Sequence, residues 1–241
     1  MKNILITGVS KGLGIEITKN LILNGYCVYG VSRTVSDELL KLQNSNPEQI
    51  KTLKYDLSDV NNIKSEIFNK YVSLRIKIHG FVNNAAFAYD DIITNANYDK
   101  LKSSFDVNFF SPVIMTKHVI RNMIFHNISG SIVHISSISV HTGYKGLSMY
   151  AASKGAIEAF SKNTAREWGV KKIRSNCIVP GFMETEMSSS LSKEQKDKIY
   201  NRTSLKEPTD INSVANSVLF LLSDSSKSIT GQNIHIDSGA L

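Results

Sequence analysis

The sequence predicts an α/β fold, with about seven parallel strands in one doubly wound sheet and helices on both faces. Apolar runs of strand length alternate with segments of helical periodicity along the chain, an order typical of parallel sheets. No linker-like stretch and no change of composition divides the 241 residues, so we expect a single domain over residues 1–241. In such folds ligands bind at the carboxyl ends of the strands.

Composition argues against several classes of protein. Lysine and arginine number 28 against 21 acidic residues, but they are scattered and no nucleic-acid-binding motif accompanies them. The formal charge of +7 therefore favours an acidic partner or a phosphorylated ligand over nucleic acid. No apolar run approaches the roughly 18 residues that span a bilayer, and no signal-peptide pattern is present, so we expect a cytosolic protein without membrane contact. Cys27 and Cys177 lie in predicted strands as buried free thiols, and no metal-ligand spacing occurs.

The first predicted strand, residues 2–7, leads into a glycine-rich turn and then into a helix over residues 15–23. Glycines in this context let the backbone approach a pyrophosphate, which would lie against the amides of the helix N-terminus. A glycine triplet alone is weak evidence, but here a strand precedes it and a helix follows. The pattern predicts a Rossmann-like dinucleotide site with contacts from Gly8, Ser10, Lys11, Gly12, Leu13 and Gly14.

The second predicted strand, residues 26–31, indicates which dinucleotide is bound. Folds that prefer NAD place an acid at the end of this strand for the ribose 2′-hydroxyl, whereas a basic residue accommodates a 2′-phosphate. No acid stands there, and Arg33 does. With help from Lys11, this predicts NADPH/NADP+ as cofactor, with NADH less favoured; the alternative is that Arg33 is only a solvated loop residue.

The rest of the chain continues the alternation of helices and strands. Helices are predicted over residues 36–43, 60–71, 98–125 and 211–222, the last capped by Thr209 or Asp210, and strands over residues 50–55, 78–82, 173–179 and 231–236. Asn108 falls near the middle of the long apolar helix 98–125. Asparagine competes for backbone hydrogen bonds, so a buried asparagine there calls for an explanation.

Tyr150 and Lys154 stand four positions apart in a predicted helix, which places them on one face. A tyrosine hydroxyl, with a pKa of about 10, becomes useful near neutrality only if its anion is stabilised, and an ammonium one turn away offers about 4 kcal/mol of such stabilisation. Ser137 follows the apolar strand 131–135, thirteen residues before Tyr150, and faces the same cleft. A tyrosine four residues before a lysine is common on helix surfaces, but together with Ser137 and the glycine turn it favours an acid–base site.

This combination resembles the short-chain dehydrogenase/reductase family, whose pattern is a serine followed about a dozen residues later by Tyr-x-x-x-Lys. The Thr-Gly-x3-Gly-x-Gly spacing of residues 7–14 is also similar to that family's, and the resemblance covers nearly the whole chain. It implies that Ser137, Tyr150 and Lys154 are catalytic and that Asn108 holds a water in the proton relay to the lysine. It also implies further cofactor contacts from Asp56, Leu57, Asn84, Ala85, Tyr150, Lys154, Pro180, Gly181 and Thr185. The family usually has glycine where this chain has Ala86.

These residues predict reduction of a ketone by NADPH. Tyr150 would donate the proton, Ser137 would hold the substrate oxygen, and Lys154 would lower the tyrosine pKa and bind the nicotinamide ribose. Residues 180–187 and 229–237 resemble 3-oxoacyl carrier-protein reductases, and a basic surface suits an acidic acyl carrier protein. A sugar derivative or another secondary-metabolite ketone is the alternative substrate. A non-catalytic NADP-binding sensor or scaffold is the alternative of a different class.

Two expectations concern what surrounds the site. Residues 182–206 are polar and interspersed with apolar side chains such as Phe182, Met183, Met187 and Leu191, a pattern typical of a substrate-covering lid; the alternative is an ordinary surface helix. His141 and Tyr144, in the loop before Tyr150, are further candidates to contact substrate. By analogy with the family, helices around 98–125 and 148–168 would form the interface of a homodimer or homotetramer.

Overall fold

The computed structural model describes residues 1–185 and 191–241. Its described strands form one parallel seven-stranded sheet in the order β3-β2-β1-β4-β5-β6-β7. The strands are β1 (Asn3–Thr7), β2 (Cys27–Ser32), β3 (Ile50–Lys54), β4 (Gly80–Asn83), β5 (Ser131–Ile135), β6 (Arg174–Pro180) and β7 (Asn233–Ile236). The direction of winding reverses between β1 and β4, so the ligand-binding crevice of a doubly wound sheet lies at their carboxyl ends.

Helices cover both faces of this sheet, which confirms the predicted fold class. They are α1 (Gly12–Leu23), α2 (Asp37–Ser45), α3 (Tyr98–Phe105), α4 (Ser111–Phe125), α5 (Ser148–Trp168), α6 (Lys193–Tyr200) and α7 (Ile211–Leu222). Lys64–Tyr71 and Asp106–Phe110 are π-helical, and short 3-10 turns occupy Val60–Asn62, Ile93–Asn95, Ile138–Val140, Gly169–Lys171 and Asp224–Ser226. Within residues 1–185 and 191–241, no helix has both the length and the hydropathy needed to cross a membrane.

The central strand β1 shows how the sequence builds two cores. Successive side chains of a strand point to opposite faces, and Ile4 and Ile6 accordingly join a buried cluster with α1 and α7. Leu5 points the other way, into a second cluster with α4 and the Lys64–Tyr71 segment. A strand that is buried on both sides needs apolar residues at every position, which is why β1 reads as a continuous apolar run.

The predicted helix over residues 98–125 is interrupted where Asn108 lies. The segment Asp106–Phe110 is π-helical, between α3 and α4. Pro112 gives a physical reason, because it lacks the N–H that an uninterrupted α-helix would donate to the carbonyl of Asn108. The predicted helix over 60–71 likewise forms as a 3-10 turn followed by a π-helical segment, for which the sequence offers no such explanation.

Two smaller predictions have definite outcomes. Asp210 caps α7, because its carboxylate accepts hydrogen bonds from the N–H groups of Asn212 and Ser213 at 3.3 and 2.9 Å. Cys177 is buried as expected, whereas Cys27 is only partly buried at the beginning of β2.

His134 lies in the middle of the sheet as a fully buried core residue. Its Nδ1 is 3.3 Å from Asn83 Nδ2, and its ring makes edge contacts with Phe81 and Phe160. Its Nε2 is buried without a hydrogen-bond partner in the described structure. Burial, and secondarily the nearby charge of Lys154, lowers the pKa of His134 to about 3, so the ring is neutral in the folded protein.

This neutral histidine predicts acid sensitivity. The unfolded chain binds a proton at His134 below pH of about 6.5, whereas the folded chain does so only near 3. The unfolded state therefore binds more protons between these values, and the free energy of unfolding falls as pH decreases. Between about pH 7 and about pH 5 the expected contribution is a loss of about 2 kcal/mol. Urea unfolding at the two pH values measures it, and His134→Asn should lose correspondingly less; an equal loss in the variant would show that other groups cause the sensitivity.

Candidate active site

A cavity of about 920 Å³ opens at the carboxyl ends of the strands. Its wall takes residues that directly follow β1, β2, β4, β5 and β6, which are brought together because all these strands are parallel. One end is lined by the glycine turn after β1, and the other by Ser137, Tyr150 and Lys154.

The glycine turn between β1 and α1 has no room for a Cβ at Gly8 or Gly14. Gly8 and Gly12 have φ of +75° and +56°, the left-handed region that glycine adopts without strain. A Cβ at Gly14 would lie 1.8 Å from the carbonyl oxygen of Gly8. The side chain of the N-cap residue Lys11 makes no cap hydrogen bond to α1, and backbone amides at such a helix N-terminus suit an anion. This turn therefore fits the pyrophosphate of a dinucleotide.

Asn84 holds the turn against the end of β4. Its Nδ2 donates to the carbonyl oxygens of Thr7 and Gly8 at 3.0 and 3.1 Å. In return, Thr7 Oγ1 accepts hydrogen bonds from the backbone N–H groups of Asn84 and Ala85 at 3.1 and 3.0 Å. The Asn84 side chain thus stitches together two neighbouring parallel strands.

The predicted cofactor residues all lie along this one cavity. They are Gly8, Ser10, Lys11, Gly12, Leu13, Gly14, Arg33, Asp56, Leu57, Asn84, Ala85, Tyr150, Lys154, Pro180, Gly181 and Thr185. At the end of β2, Arg33 is exposed and no carboxylate stands beside it in the chain; the next residues with carboxylates are those at the start of α2. Contact of these residues with a cofactor stays a prediction.

Ser137, Tyr150 and Lys154 meet at the other end of the cavity. Ser137 Oγ accepts hydrogen bonds from the N–H and the hydroxyl of Ser139 at 3.2 and 2.9 Å, and the Ser137 side chain is close enough to Tyr150 to lower the pKa of its phenol. Lys154 is buried, with its Nζ donating to the carbonyl oxygen of Ile135 at 2.8 Å. The same Nζ lies 5.8 Å from the centroid of the Tyr150 ring.

Burial controls the protonation of this group. It raises the pKa of Tyr150, and the nearby carboxylate of Asp90 raises it further, although the Ser137 side chain acts in the opposite direction. Burial also lowers the pKa of Lys154 to about 8. The predicted lowering of the Tyr150 pKa by Lys154 is therefore not found, because desolvation of the phenolate dominates. The phenol stays neutral and keeps the proton that a general acid must donate.

Asn108 lies behind the cavity wall, where its neighbour Val107 contributes to the lining. Its amide Nδ2 donates to Phe87 O and Ser153 Oγ, each at 2.9 Å, and its Oδ1 accepts from Phe87 N at 2.8 Å. Ser153 directly precedes Lys154 in the chain. Asn108 thus ties the loop after β4 to α5, and its side-chain amide is used by protein groups.

Sequence reasoning missed Asp90 and Arg202, which both line the cavity. Neither belongs to a motif or a periodic pattern. The loop that carries Asp90 is joined to the loop before α5 by a hydrogen bond of 2.9 Å from Asp91 N to Gly146 O. Tyr144 of that second loop lines the cavity, whereas His141 turns away to contact Glu158.

The predicted lid borders the cavity in part. Phe182, Met183 and Leu191 line it, together with Ile199 of α6, and Met187 lies outside the described residues. Glu184 connects the two sides of this region, because its Oε1 accepts hydrogen bonds from Tyr200 Oη at 2.7 Å and Lys196 Nζ at 3.2 Å. Across the described parts of the chain, no three histidine, cysteine or acidic side chains are grouped as a metal site would require.

Comparison with known proteins points to the same chemistry. The family model described as enoyl-(acyl carrier protein) reductase matches residues 8–240. L-xylulose reductase of Caenorhabditis elegans is 32% identical over 240 residues, which are 99% of this chain and 95% of that protein. A 3-oxoacyl-[acyl-carrier-protein] reductase of Chlamydia pneumoniae is 31% identical over 240 residues, covering 99% of this chain and 96% of that protein.

A solved structure shares the fold over the whole chain. The structure of 4-hydroxyisoleucine dehydrogenase complexed with NADH superimposes with a TM-score of 0.93 at 26% identity, covering 100% of this chain and 98% of that one. The similarity therefore includes the sheet, the glycine turn and the helix that carries Tyr150.

Gly14→Ala tests whether the glycine turn binds the cofactor. Its Cβ would clash with backbone rather than with a movable side chain, so we expect destabilisation of about 2 kcal/mol or more and at least a tenfold loss of NADP+ affinity. Gly25→Ala is the matched control, because Gly25 also has a positive φ of 76° but a Cβ there meets nothing within 4 Å. Isothermal titration with NADP+ and thermal unfolding would measure both; equal effects of the two changes on affinity would contradict the assignment of the turn.

Proposed function

Because the chain belongs to the short-chain dehydrogenase/reductase family, oxidoreductases that act on CH–OH or C=O groups, we propose that it reduces a ketone to a secondary alcohol with NADPH. One observation carries this proposal: a single cavity holds the glycine turn at one end and Ser137, Tyr150 and Lys154 at the other. A neutral proton donor beside a nucleotide cradle is what carbonyl reduction requires.

The chain's groups divide the work of binding. The first-turn amides of α1 and the glycine turn would hold the pyrophosphate, and Lys154 would bind the ribose next to the nicotinamide. A nicotinamide cofactor supplies the hydride when it is bound. Pro180, the last residue of β6, and Gly181 and Thr185, which follow the strand, would border the nicotinamide.

The substrate oxygen would lie between Ser137 and Tyr150. Ser137 orients it by a hydrogen bond, and the Tyr150 O–H gives up its proton as negative charge develops on that oxygen. Lys154, when charged, would attract the phenolate that remains once the proton has been donated, since its Nζ lies 5.8 Å from the centroid of the Tyr150 ring. The side-chain amide of Asn108 is engaged with Phe87 and Ser153, so a water at this residue would bind the backbone carbonyl oxygen of Asn108. Pro112 has no N–H to donate to that oxygen.

For the cofactor, the end of β2 supports NADPH. Arg33 and Lys11 both line the cavity, and a guanidinium or ammonium group binds a 2′-phosphate more favourably than a 2′-hydroxyl. Against this, the similar 4-hydroxyisoleucine dehydrogenase is complexed with NADH. The basic side chains of this chain favour the phosphorylated form.

For the substrate, we favour a 3-oxoacyl thioester, presented by an acyl carrier protein. A similar protein has this activity in its name, and the charge of +7 suits an acidic carrier. A sugar ketone is the second candidate, because the carboxylate of Asp90 lies in the cavity near Tyr150 and would bind substrate hydroxyl groups, and L-xylulose reductase is similarly related. Assembly as a dimer or tetramer and a cytosolic location stay predictions.

Tyr150→Phe tests the chemistry. We expect the wild type to consume NADPH, followed by absorbance, with a short 3-oxoacyl thioester, and the variant to lose at least about 10²-fold in kcat because it has no proton to donate. NADPH affinity should change less than about twofold, since the variant removes one hydroxyl that does not bind phosphate. L-xylulose, assayed in parallel, distinguishes the two substrate classes.

Each result has a distinct meaning. Turnover of L-xylulose alone would replace the acyl substrate by a sugar. Near-normal turnover in the variant would remove Tyr150 from the mechanism. Bound NADPH with no turnover of any ketone would favour a sensor or scaffold.

Arg33→Ala tests the cofactor preference. Loss of a charge-assisted contact with the 2′-phosphate should raise KM for NADPH about tenfold and leave KM for NADH within about twofold. Arg166→Ala, which removes an exposed arginine of α5 outside the cavity, is the control. An equal change for both cofactors would mean that Arg33 does not contact the 2′-phosphate.

A further inference from the structure

Glu158 is a buried carboxylate that the mechanism above does not use. It lies on α5 one helical turn beyond Lys154, and its side chain is only 8% exposed. A buried carboxylate is costly unless hydrogen-bond donors surround it. The donors that this chain provides therefore indicate what the group does.

Three donors from different parts of the chain converge on Glu158. Ser136 Oγ donates to its Oε1 at 2.5 Å, and Asn233 Nδ2 of β7 donates to its Oε2 at 2.6 Å. His141 Nε2 lies 3.2 and 3.1 Å from the two oxygens. The ring of His235 packs edge-on against His141, with ring centroids 4.7 Å apart.

Two of these donors flank the turn that carries Ser137. Ser136 directly precedes it, and His141 directly follows the 3-10 turn Ile138–Val140. Within the turn, Ser137 contacts Ser139, so its internal hydrogen bonds do not fix its position relative to α5. Lys154 of α5 donates to Ile135 O just before the turn, and Glu158 adds a connection from α5 to Ser136 and to His141, one at each end of the turn.

The helix that receives this connection carries the other two reactive groups. Tyr150, Lys154 and Glu158 recur at intervals of four residues along α5, so one rigid element holds the proton donor, the ammonium and the carboxylate. A turn held to Glu158 at two points is therefore held in register with Tyr150. Alignment of reacting groups to within about 1 Å matters for rate, because misplacement by that distance can cost about 10²-fold.

We propose that Glu158 is a positioning residue that fixes the Ser137 turn against α5 and thereby sets the distance between Ser137 and Tyr150. The effect on kcat rests on the proposed reductase function, whereas the effect on the turn does not. The carboxylate acts through Ser136 and His141 and does not touch the cavity contents.

Glu158→Gln is the test, because glutamine has nearly the same shape as glutamate but has one acceptor oxygen instead of two. Three donors then compete for that one oxygen. We expect faster hydrogen–deuterium exchange of the backbone amides of residues 136–141. We also expect kcat to fall about tenfold or more, with the dissociation constant of NADPH changed less than about twofold. We divide the turnover rate by the concentration of NADPH-binding sites, so that a smaller fraction of folded protein does not lower the measured kcat.

Ser161→Ala is the matched control. Ser161 is buried on the same helix and loses a hydrogen bond of 2.8 Å to Ser175 Oγ, but it has no contact with the Ser137 turn. It should lower thermal stability comparably and leave both exchange at 136–141 and kcat unchanged. A second variant, Glu158→Gln with Asn233→Asp, restores an acceptor opposite the new amide and should recover part of the lost kcat.

The outcomes separate this inference from the proposed function. Unchanged exchange at residues 136–141 in Glu158→Gln overturns the inference, whatever the activity. Faster exchange with unchanged kcat also overturns it and leaves Glu158 a structural group. If the wild type reduces no ketone, the proposed function fails, and the exchange data still decide whether Glu158 holds the turn.

Discussion

The contact between the glycine turn and the end of β4 is the constraint on which the site depends. A Cβ at Gly14 would overlap the carbonyl oxygen of Gly8, and Asn84 Nδ2 fills the remaining space by donating to Thr7 and Gly8. This contact joins β1 and β4 at the point where the sheet reverses its winding. The helices leave for opposite faces there, so the cavity opens between them. Everything that lines the cavity is placed relative to this junction.

The two ends of the cavity differ in what they offer. The glycine end presents backbone N–H groups and a helix N-terminus, which suit a phosphate. At the other end Lys154 is buried and Tyr150 is partly buried, and desolvation raises the pKa of Tyr150 and lowers that of Lys154 to about 8. A neutral phenol costs less to desolvate than a phenolate and retains its proton, whereas a charged pair would need compensation. His134, just behind, is neutral for the same reason.

Polar groups outside the cavity hold the reactive groups in place. Asn108 ties the loop after β4 to Ser153, and Glu158 receives hydrogen bonds from both sides of the Ser137 turn. Proteins 31–32% identical to this chain carry names for a sugar substrate and for an acyl substrate.

The sequence by itself determined the fold class, the order of elements and the residues that lead into the cavity. Apolar periodicity and glycine spacing indicate local structure, that is, where strands, helices and tight turns occur. Parallel strands place their carboxyl ends at one edge of the sheet, however their side chains pack. It also identified Tyr150 and Lys154 as neighbours, because a spacing of four residues fixes proximity within a helix. What it could not determine was the environment of those side chains. Only the tertiary structure decided that burial and Asp90 raise the pKa of Tyr150, that Asn108 lies in a π-helical segment just before Pro112, and that His141 contacts Glu158. Desolvation and contacts between distant segments depend on packing in three dimensions, which no spacing along the chain records.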